Sequence, residues 1–286
     1  MNDRVRVVGS RALLHLVVVL VCVVWLVPTL GVLITSLRPA QEVATSGWWT
    51  VLWGARQSAR FTWENYQVVL NRLGLARAFR NSFMISIPAT LIPLMVSLAA
   101  AYALSWMKFK GRRAVFMSLI ALLVVPLQLT FIPILQVYQR LGLAGTFPGV
   151  WLAHAGYGLP LATYMFYNSI SSLPRDLFDS ASIDGASSWH AFRFLVLPLS
   201  VPIIASLIIF QFLWVWNDLL VALIYLGGTP DVAPVTVQIS SLVGSYGQDW
   251  ELLTAAVFVS LLPALLVFFG LQRYFIRGIL AGSIKG

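Results

Sequence analysis

A chain of 286 residues that is 59% hydrophobic and only 10% charged, with mean hydropathy +0.85, lies outside the range of soluble globular domains, where about 25% of residues are charged. The net charge of +9 and pI near 10.1 do not make it a nucleic-acid binder, because the basic residues come in short groups between apolar runs and not along one face. The composition describes an all-α, polytopic membrane protein; the single cysteine, Cys22, excludes an intrachain disulfide and reads as a packing residue.

Crossing a hydrocarbon core about 30 Å thick takes about 20 helical residues. Six runs are long and apolar enough: about 12–36, 81–106, 114–138, 149–171, 199–226 and 252–275. The first, ALLHLVVVLVCVVWLVPTLGVLIT, is too long for a signal-peptide core and lacks a small-x-small cleavage site, so it is expected to remain as an anchor behind an N-terminal segment, 1–11. The connection 37–80 is long and carries Trp48, Trp49, Trp53 and Trp63, residues suited to a membrane interface. Runs two, three, four and six contain Pro88, Pro93, Pro126, Pro133, Pro160 and Pro263. Each removes a backbone hydrogen bond that lipid cannot replace, so these helices are expected to face protein or a wet cavity near the breaks. Ser97, Ala99, Ala100, Ala101 and Ala103 in run two would let a neighbouring helix approach closely.

Lysine and arginine in the short loops set the orientation. Arg4, Arg6 and Arg11 precede run one; Lys108, Lys110, Arg112 and Arg113 fill the turn between runs two and three; Arg175 and Arg193 flank 172–198; Arg273, Arg277 and Lys285 follow run six. Both termini and the segment 172–198 are therefore expected in the cytoplasm. The connection 37–80, assigned to the outside, disagrees through Arg38, Arg56, Arg60, Arg72, Arg77 and Arg80.

Three features of the later runs stand out. Run four is the most aromatic and polar, with His154, Tyr157, Tyr164, Tyr167 and Asn168; such groups suit a neutral sugar, although interfacial anchoring and bundle packing are a competing account. Asp218, beside Asn217, is an acid well inside run five, at a cost of about 2.5–3.5 kcal/mol near a membrane centre. It marks a wet pathway, an inter-subunit polar contact with Asn217, or a structural hydrogen bond between helices. Between runs four and five the segment SSLPRDLFDSASIDGASSWHAFRFLVLPLS is polar and helix-prone. Ser172 reads as a cap, Pro174 and Asp176 as first-turn residues, Asp184-Gly185 as a turn, and Ala186 onward as a second helix that Pro198 leads into run five. By pattern alone this is a helix-turn-helix that either connects two spans or docks a partner.

Its spacing resembles the EAA signature of ABC importer permeases: Glu-Ala-Ala, three residues, Gly, nine residues, Ile, any residue, Leu-Pro. Asp179-Ser180-Ala181 stands at the triplet, Gly185 at the glycine, Leu195 at the isoleucine and Leu197-Pro198 at the end; Asp179 and Ser180 depart from the pattern. Asp184-Gly185-Ala186, Trp216-Asn217-Asp218 and the ending from Arg277-Gly278 to Gly286 resemble the permeases of maltose-type carbohydrate importers, and FQFLWVWNDLLVALIYLGGTP is closest in appearance to the α-glucoside group. The resemblance implies six spans, a cytoplasmic coupling helix docking an ATPase through Asp179, Ser180, Ala181, Asp184, Gly185 and Ala186, and an inner-membrane location. It also implies a second homologous permease subunit, two ATPase subunits that use ATP and Mg, and an extracytoplasmic sugar-binding protein.

The chain itself has no G-x-x-x-x-G-K-[ST] phosphate loop, no G-x-S-x-G elbow and no H-E-x-x-H, and His15, His154 and His190 are dispersed. No catalytic residue, bound cofactor or metal site is expected, and the tail 277–286 is expected to be flexible. The competing function is a self-contained secondary transporter or channel, which would carry coupling-ion residues and often internal repeats.

Overall fold

The structure is a computed structural model that describes residues 2–53, 60–246 and 249–283; Arg56 and the terminal Ile284, Lys285 and Gly286 lie outside the described residues. Every regular element among the described residues is helical, in line with the all-α expectation. The chain divides into two compact units, Met1–Leu75 with Ile239–Leu261, and Ala76–Gln238 with Leu262–Gly286.

The first unit opens with α1 (Asn2–Ser36), whose stretch Leu13–Ser36 is long and apolar enough to cross a membrane and is almost wholly exposed. Leu, Val and Ile side chains on all sides of a helix suit a lipid solvent. Cys22 is exposed on this helix, so the packing role read from sequence is not met within the chain. Three short helices follow, α2 (Ala40–Thr45), α3 (Thr50–Trp53) and α4 (Glu64–Gln67), the last continuing into a π-turn at Val68–Arg72. They are folded onto the end of α1 by polar contacts. Asn65 donates to the Ser36 and Arg38 carbonyls at 2.8 and 2.9 Å, and the Ser36 hydroxyl meets the Tyr66 hydroxyl at 2.6 Å. Arg38 is 2% exposed; its guanidinium donates to the Glu42 and Ser46 carbonyls at 3.1 Å each and lies 3.8 Å from the Glu42 carboxylate. Trp49 and Trp63 are exposed as an interface would require, whereas Trp48 is laid against Gly31 of α1.

The second unit is built on α5 (Leu75–Trp106), α8 (Phe147–Ser171) and α12 (Val201–Trp216). Between α5 and α8 lie α6 (Arg112–Leu122), a 3-10 turn at Leu127–Thr130 and α7 (Phe131–Leu141). Between α8 and α12 lie α9 (Arg175–Ile183), α10 (Ser188–Ala191), a π-turn at Phe192–Val196 and α11 (Leu197–Leu199). After α12 come α13 (Leu220–Leu226), α14 (Val235–Tyr246) and α15 (Trp250–Ser283), of which residues 239–261 are counted with the first unit. One apolar cluster gathers Ile85, Phe131, Tyr138, Val150, Val215 and Tyr225; another gathers Leu94, Leu98, Phe166, Ile170, Val196 and Leu207. Of the small residues in α5, Ser97 and Ala101 are buried, one helical turn apart, and the Ser97 hydroxyl donates to the Leu159 carbonyl of α8 at 3.2 Å; Ala99 points away.

Pro88 and Pro93 sit inside α5 without ending it. Each proline lacks the N–H that would have bonded the carbonyl four residues earlier, which leaves Met84 and Ala89 short of a donor. The Trp151 indole of α8 donates to the Met84 carbonyl at 2.8 Å, and the Gln211 amide of α12 donates to the Ala89 carbonyl at 3.3 Å. Gln211 reaches across because Gly158 of α8 leaves room: a Cβ there would come within 2.6 Å of the Gln211 amide. The expectation that protein faces the proline breaks is met at both carbonyls.

By length and composition, three helical stretches can cross a membrane: Leu13–Ser36, Leu75–Trp106 and Trp250–Tyr274. Two bent pairs raise the number to five if each is one span: Arg112–Leu122 with Leu127–Leu141, turned by 99°, and Ser188–Leu199 with Val201–Trp216, turned by 71°. Of the six spans read from the sequence, 149–171 is the one that this criterion does not pick out. Hydropathy averages over a corner such as Val125-Pro126, and α8 dilutes its apolar residues with histidine, tyrosine, asparagine and glycine. At the far end α15 continues to Ser283, so residues 277–283 prolong a helix where a tail was expected.

Gln211→Leu should lower the stability of the detergent-solubilised chain by about 1–2 kcal/mol, because the Ala89 carbonyl is left buried without a donor. In a Pro93→Ala background, where a backbone amide returns to that carbonyl, the same substitution should cost far less. Denaturant unfolding of the four chains in this cycle measures it.

Candidate functional site

The segment 172–198 folds as a hairpin of two short helical pieces. Ser172 ends α8, with its hydroxyl on the Ser169 carbonyl at 2.8 Å, and does not open α9; Pro174 occupies that position. The correction has a simple cause: Ser172 keeps helical dihedrals, whereas Pro174 is extended and starts α9 without needing an N–H. Asp179, Ser180 and Ala181 lie on α9, Asp184 ends it, and Gly185 takes φ +76°. The Ala186 amide then bonds the Ala181 carbonyl at 2.9 Å and the Gly185 amide bonds the Ser182 carbonyl at 3.1 Å. This pair of bonds is a Schellman ending, which needs a residue content with the left-handed region. Ser187 starts α10 by accepting from the His190 amide at 3.3 Å, the Ser-x-x pattern of an N-cap.

The hairpin is fastened to the helix ends beneath it. The Phe178 ring stacks on Trp106 of α5 at 3.6 Å between centroids, and the Trp106 indole donates to the Ile170 carbonyl of α8 at 3.2 Å. Phe192 packs on Tyr102, whose hydroxyl donates to the Ser188 carbonyl at 3.1 Å. Aromatic pairs of this kind contribute about 0.5–1.5 kcal/mol beyond their buried area. With Phe178 turned inward, Asp179, Ser180, Asp184 and Gly185 are exposed, while Ala181 and Ala186 are half-buried and close the turn. A side chain added at Gly185 would meet nothing of this chain within 4 Å. The sequence reading missed Ile183, 87% exposed on the same outer face; the signal was available, since Ile183 falls one turn after Asp179.

The acid of run five lies at a break and not inside a helix. Asn217 and Asp218 separate α12 from α13, and the Asp218 carboxylate accepts from the Val221 and Ala222 amides at 3.4 and 3.0 Å, the unpaired donors of the α13 first turn. The Asn217 amide donates back to the Leu213 carbonyl at 2.8 Å. His154 of α8, 1% exposed, brings Nε2 to 3.8 Å from Asp218 Oδ2, longer than a hydrogen bond, with its ring edge-on to Trp214. A chain of hydroxyls from Thr130 to Tyr157 to Tyr225, at 2.8 Å each, ties the α7 start to α8 and α13.

The aromatic-polar residues of run four thus serve different places. His154 faces Asp218, Tyr157 joins the hydroxyl chain, and Tyr167 packs on Phe116 of α6 with ring centroids 4.1 Å apart. Tyr164 is 40% exposed and about 15 Å along the α8 axis from His154, so it is not brought to the Asn217–Asp218 break. Among the described residues no three His, Cys, Asp or Glu groups could hold a metal ion.

A family model described as "binding-protein-dependent transport system inner membrane component" matches residues 93–281, which include the hairpin and the break. The chain is 56% identical, over 95% of its length and 91% of the relative's, to the osmoprotective compounds uptake permease protein of Synechocystis sp.. It is 37% identical to the alpha-glucoside transport system permease protein of Rhizobium meliloti, over 95% and 96% of the two chains. Its fold is similar, with a TM-score of 0.72 over 94% of this chain and 97% of the other at 19% identity, to a bacterial ABC transporter involved in the import of the acidic polysaccharide alginate.

Asp218→Asn keeps an acceptor for the α13 amides and should leave stability in detergent nearly unchanged. Asp218→Leu should cost about 1 kcal/mol, the usual loss of a helix cap. Deuterium exchange at the Val221 and Ala222 amides should quicken in the leucine variant alone; equal protection in both would show that the cap does not hold the break.

Proposed function

Since the chain belongs to the family of binding-protein-dependent transport system inner membrane components, we propose that it is a permease subunit of an ATP-driven ABC importer for sugars of the α-glucoside, maltose or trehalose kind. The substrate class follows from the relative named for alpha-glucoside transport, together with the wording of the α12–α13 segment. Its partners in this reading are a second homologous permease subunit, two cytoplasmic ATPase subunits that bind ATP and Mg, and an extracytoplasmic sugar-binding protein. A structure of the alginate importer in complex with a pentasaccharide-bound periplasmic protein, whose fold is similar at a TM-score of 0.64, supports the last of these by analogy.

The observation that carries the mechanism is the hairpin: Asp179, Ser180, Asp184 and Gly185 stand outward on a turn whose other side is pinned to α5 and α8. An ATPase docked there moves the hairpin as a rigid body. The run Ser188–Leu199 carries that displacement to α12 through the 71° corner at Ser200, and α12 ends at the polar break of Asn217 and Asp218. In this reading both termini and the hairpin are cytoplasmic. Two of the arginines that opposed the orientation are internally matched: Arg38 by Glu42 and carbonyls, Arg77 by Asp231 at 2.8 Å. The exposed Asn217 amide and Tyr164 hydroxyl are available to a hydroxylated solute.

A second substrate reading, a small osmoprotective solute, is favoured by the 56% identical relative. Uptake by the assembled complex of labelled maltose and, separately, of a labelled zwitterionic betaine separates the two. Uptake of maltose alone is expected; uptake of the betaine alone would overturn the sugar assignment.

Gly185 tests the docking. Gly185→Trp should insert normally yet reduce uptake by about tenfold or more, because overpacking at an interface costs about 1–3 kcal/mol. Gly185→Asn, which tolerates the left-handed region, should be worse than Gly185→Ala if docking space decides. The reverse order would mean that backbone strain alone is responsible.

A further inference from the structure

Beside the hairpin, on the side that Asp179 faces, α5, α6, α8 and α9 enclose a cavity of about 940 Å³. Lys108, Lys110, Arg112 and Arg175 line it, and Asp179 is the one acid on its wall. No ion pair within 4.0 Å joins any of these five among the described residues, whose ion pairs lie elsewhere. Arg112 is held in place by donating to the Ser105 and Met107 carbonyls at the end of α5. Arg112 and Arg175 are also the first residues of α6 and α9, and neither helix start has a side-chain cap: Gly111 precedes one and Pro174 the other. Four cations with one carboxylate, beside two helix starts without a side-chain cap, make a place for an anion.

The surroundings specify which anion. Trp106, Phe109 and Tyr167 stand on the cavity wall, the aromatic composition of a membrane boundary. Immediately beyond it, α6 buries none of its residues and exposes Val115, Met117 and Leu122 along its length. A basic cavity opening onto a bare apolar helix matches an amphiphile with a phosphate head and acyl tails, and basic pockets between spanning helices bind anionic lipid headgroups elsewhere. A free phosphate would use the cations and leave α6 uncovered.

We propose that this cavity binds the phosphate headgroup of an anionic phospholipid, with Lys108, Lys110, Arg112 and Arg175 as its cationic contacts and the acyl chains lying on α6. The lipid would thereby share a wall with Asp179 and brace the hairpin against α5. The proposal does not depend on which sugar is carried or on which side of the membrane the hairpin stands.

Native mass spectrometry of the full chain, purified in detergent and offered phosphatidylglycerol or phosphatidylcholine, tests it. Phosphatidylglycerol should be retained in preference. The triple variant Lys108→Gln, Lys110→Gln, Arg175→Gln should lose that retention on the order of a hundredfold, from three contacts each contributing about fivefold, while Arg113→Gln, outside the cavity wall, should not. Circular dichroism confirms that the triple variant stays helical; if it does not, Lys108→Gln alone should still show a graded loss. Equal retention by the triple variant would overturn the site. Thermal protection by 10 mM inorganic phosphate without lipid preference would overturn the lipid assignment in favour of a free anion. Loss of a co-purifying ATPase subunit with unchanged lipid retention would assign the cavity to a protein partner. None of these measurements reads sugar uptake, so their failure leaves the transport reading standing.

Discussion

In hydrocarbon a backbone carbonyl without a donor has no water to turn to, and this constraint organises the second unit. Pro88 and Pro93 each deprive a carbonyl of its own helix's amide, and the indole of Trp151 and the amide of Gln211 replace the missing donors. Two polar side chains that would be costly in lipid are thus placed against two polar groups that would be costly alone. The contacts come from different helices, α8 and α12, so satisfying α5 also fixes which neighbours it has. Gly158 is needed at the same crossing because a Cβ there would collide with Gln211.

The same helix ends hold the hairpin. Trp106 closes α5, receives the Phe178 ring on its face and donates its N–H to the Ile170 carbonyl at the end of α8. One indole therefore joins three elements, and its flat face sets the roll of α9 about its own axis. That roll turns Asp179, Ser180 and Ile183 outward together. The Schellman ending at Gly185 then reverses the chain without using any outward side chain, which leaves the outer face of the hairpin free for a partner.

Charge follows a similar logic of local matching. Arg38 is buried against Glu42 and backbone carbonyls, and Asp218 is matched to the amides of α13, so neither stands as a bare ion. The Lys108, Lys110, Arg112 and Arg175 group is different, since its charges converge on one cavity with a single acid, Asp179, on its wall and no ion pair between them among the described residues. Asp179 belongs to both the hairpin and that cavity.

By itself the sequence determined the membrane class, the apolar helices and the helix-turn-helix at 172–198. Each of these is written locally, in runs of Leu, Val and Ile, in Pro174 and in Gly185. The spacing from Asp179 to Pro198 pointed to the family that the whole-chain comparisons then established. It did not determine where runs three and five bend, because hydropathy is a sum over residues and a corner at Pro126 or Ser200 barely changes the sum. Nor did it pair Trp151 with Met84 or His154 with Asp218, or bring Lys108 and Arg175 to one cavity: these residues lie dozens of positions apart, and no periodicity links them. Only tertiary packing brings them together, since which side chains meet between separate helices is set by where the helices cross and not by any local pattern, and in a membrane a carbonyl freed by proline must find its donor within the protein.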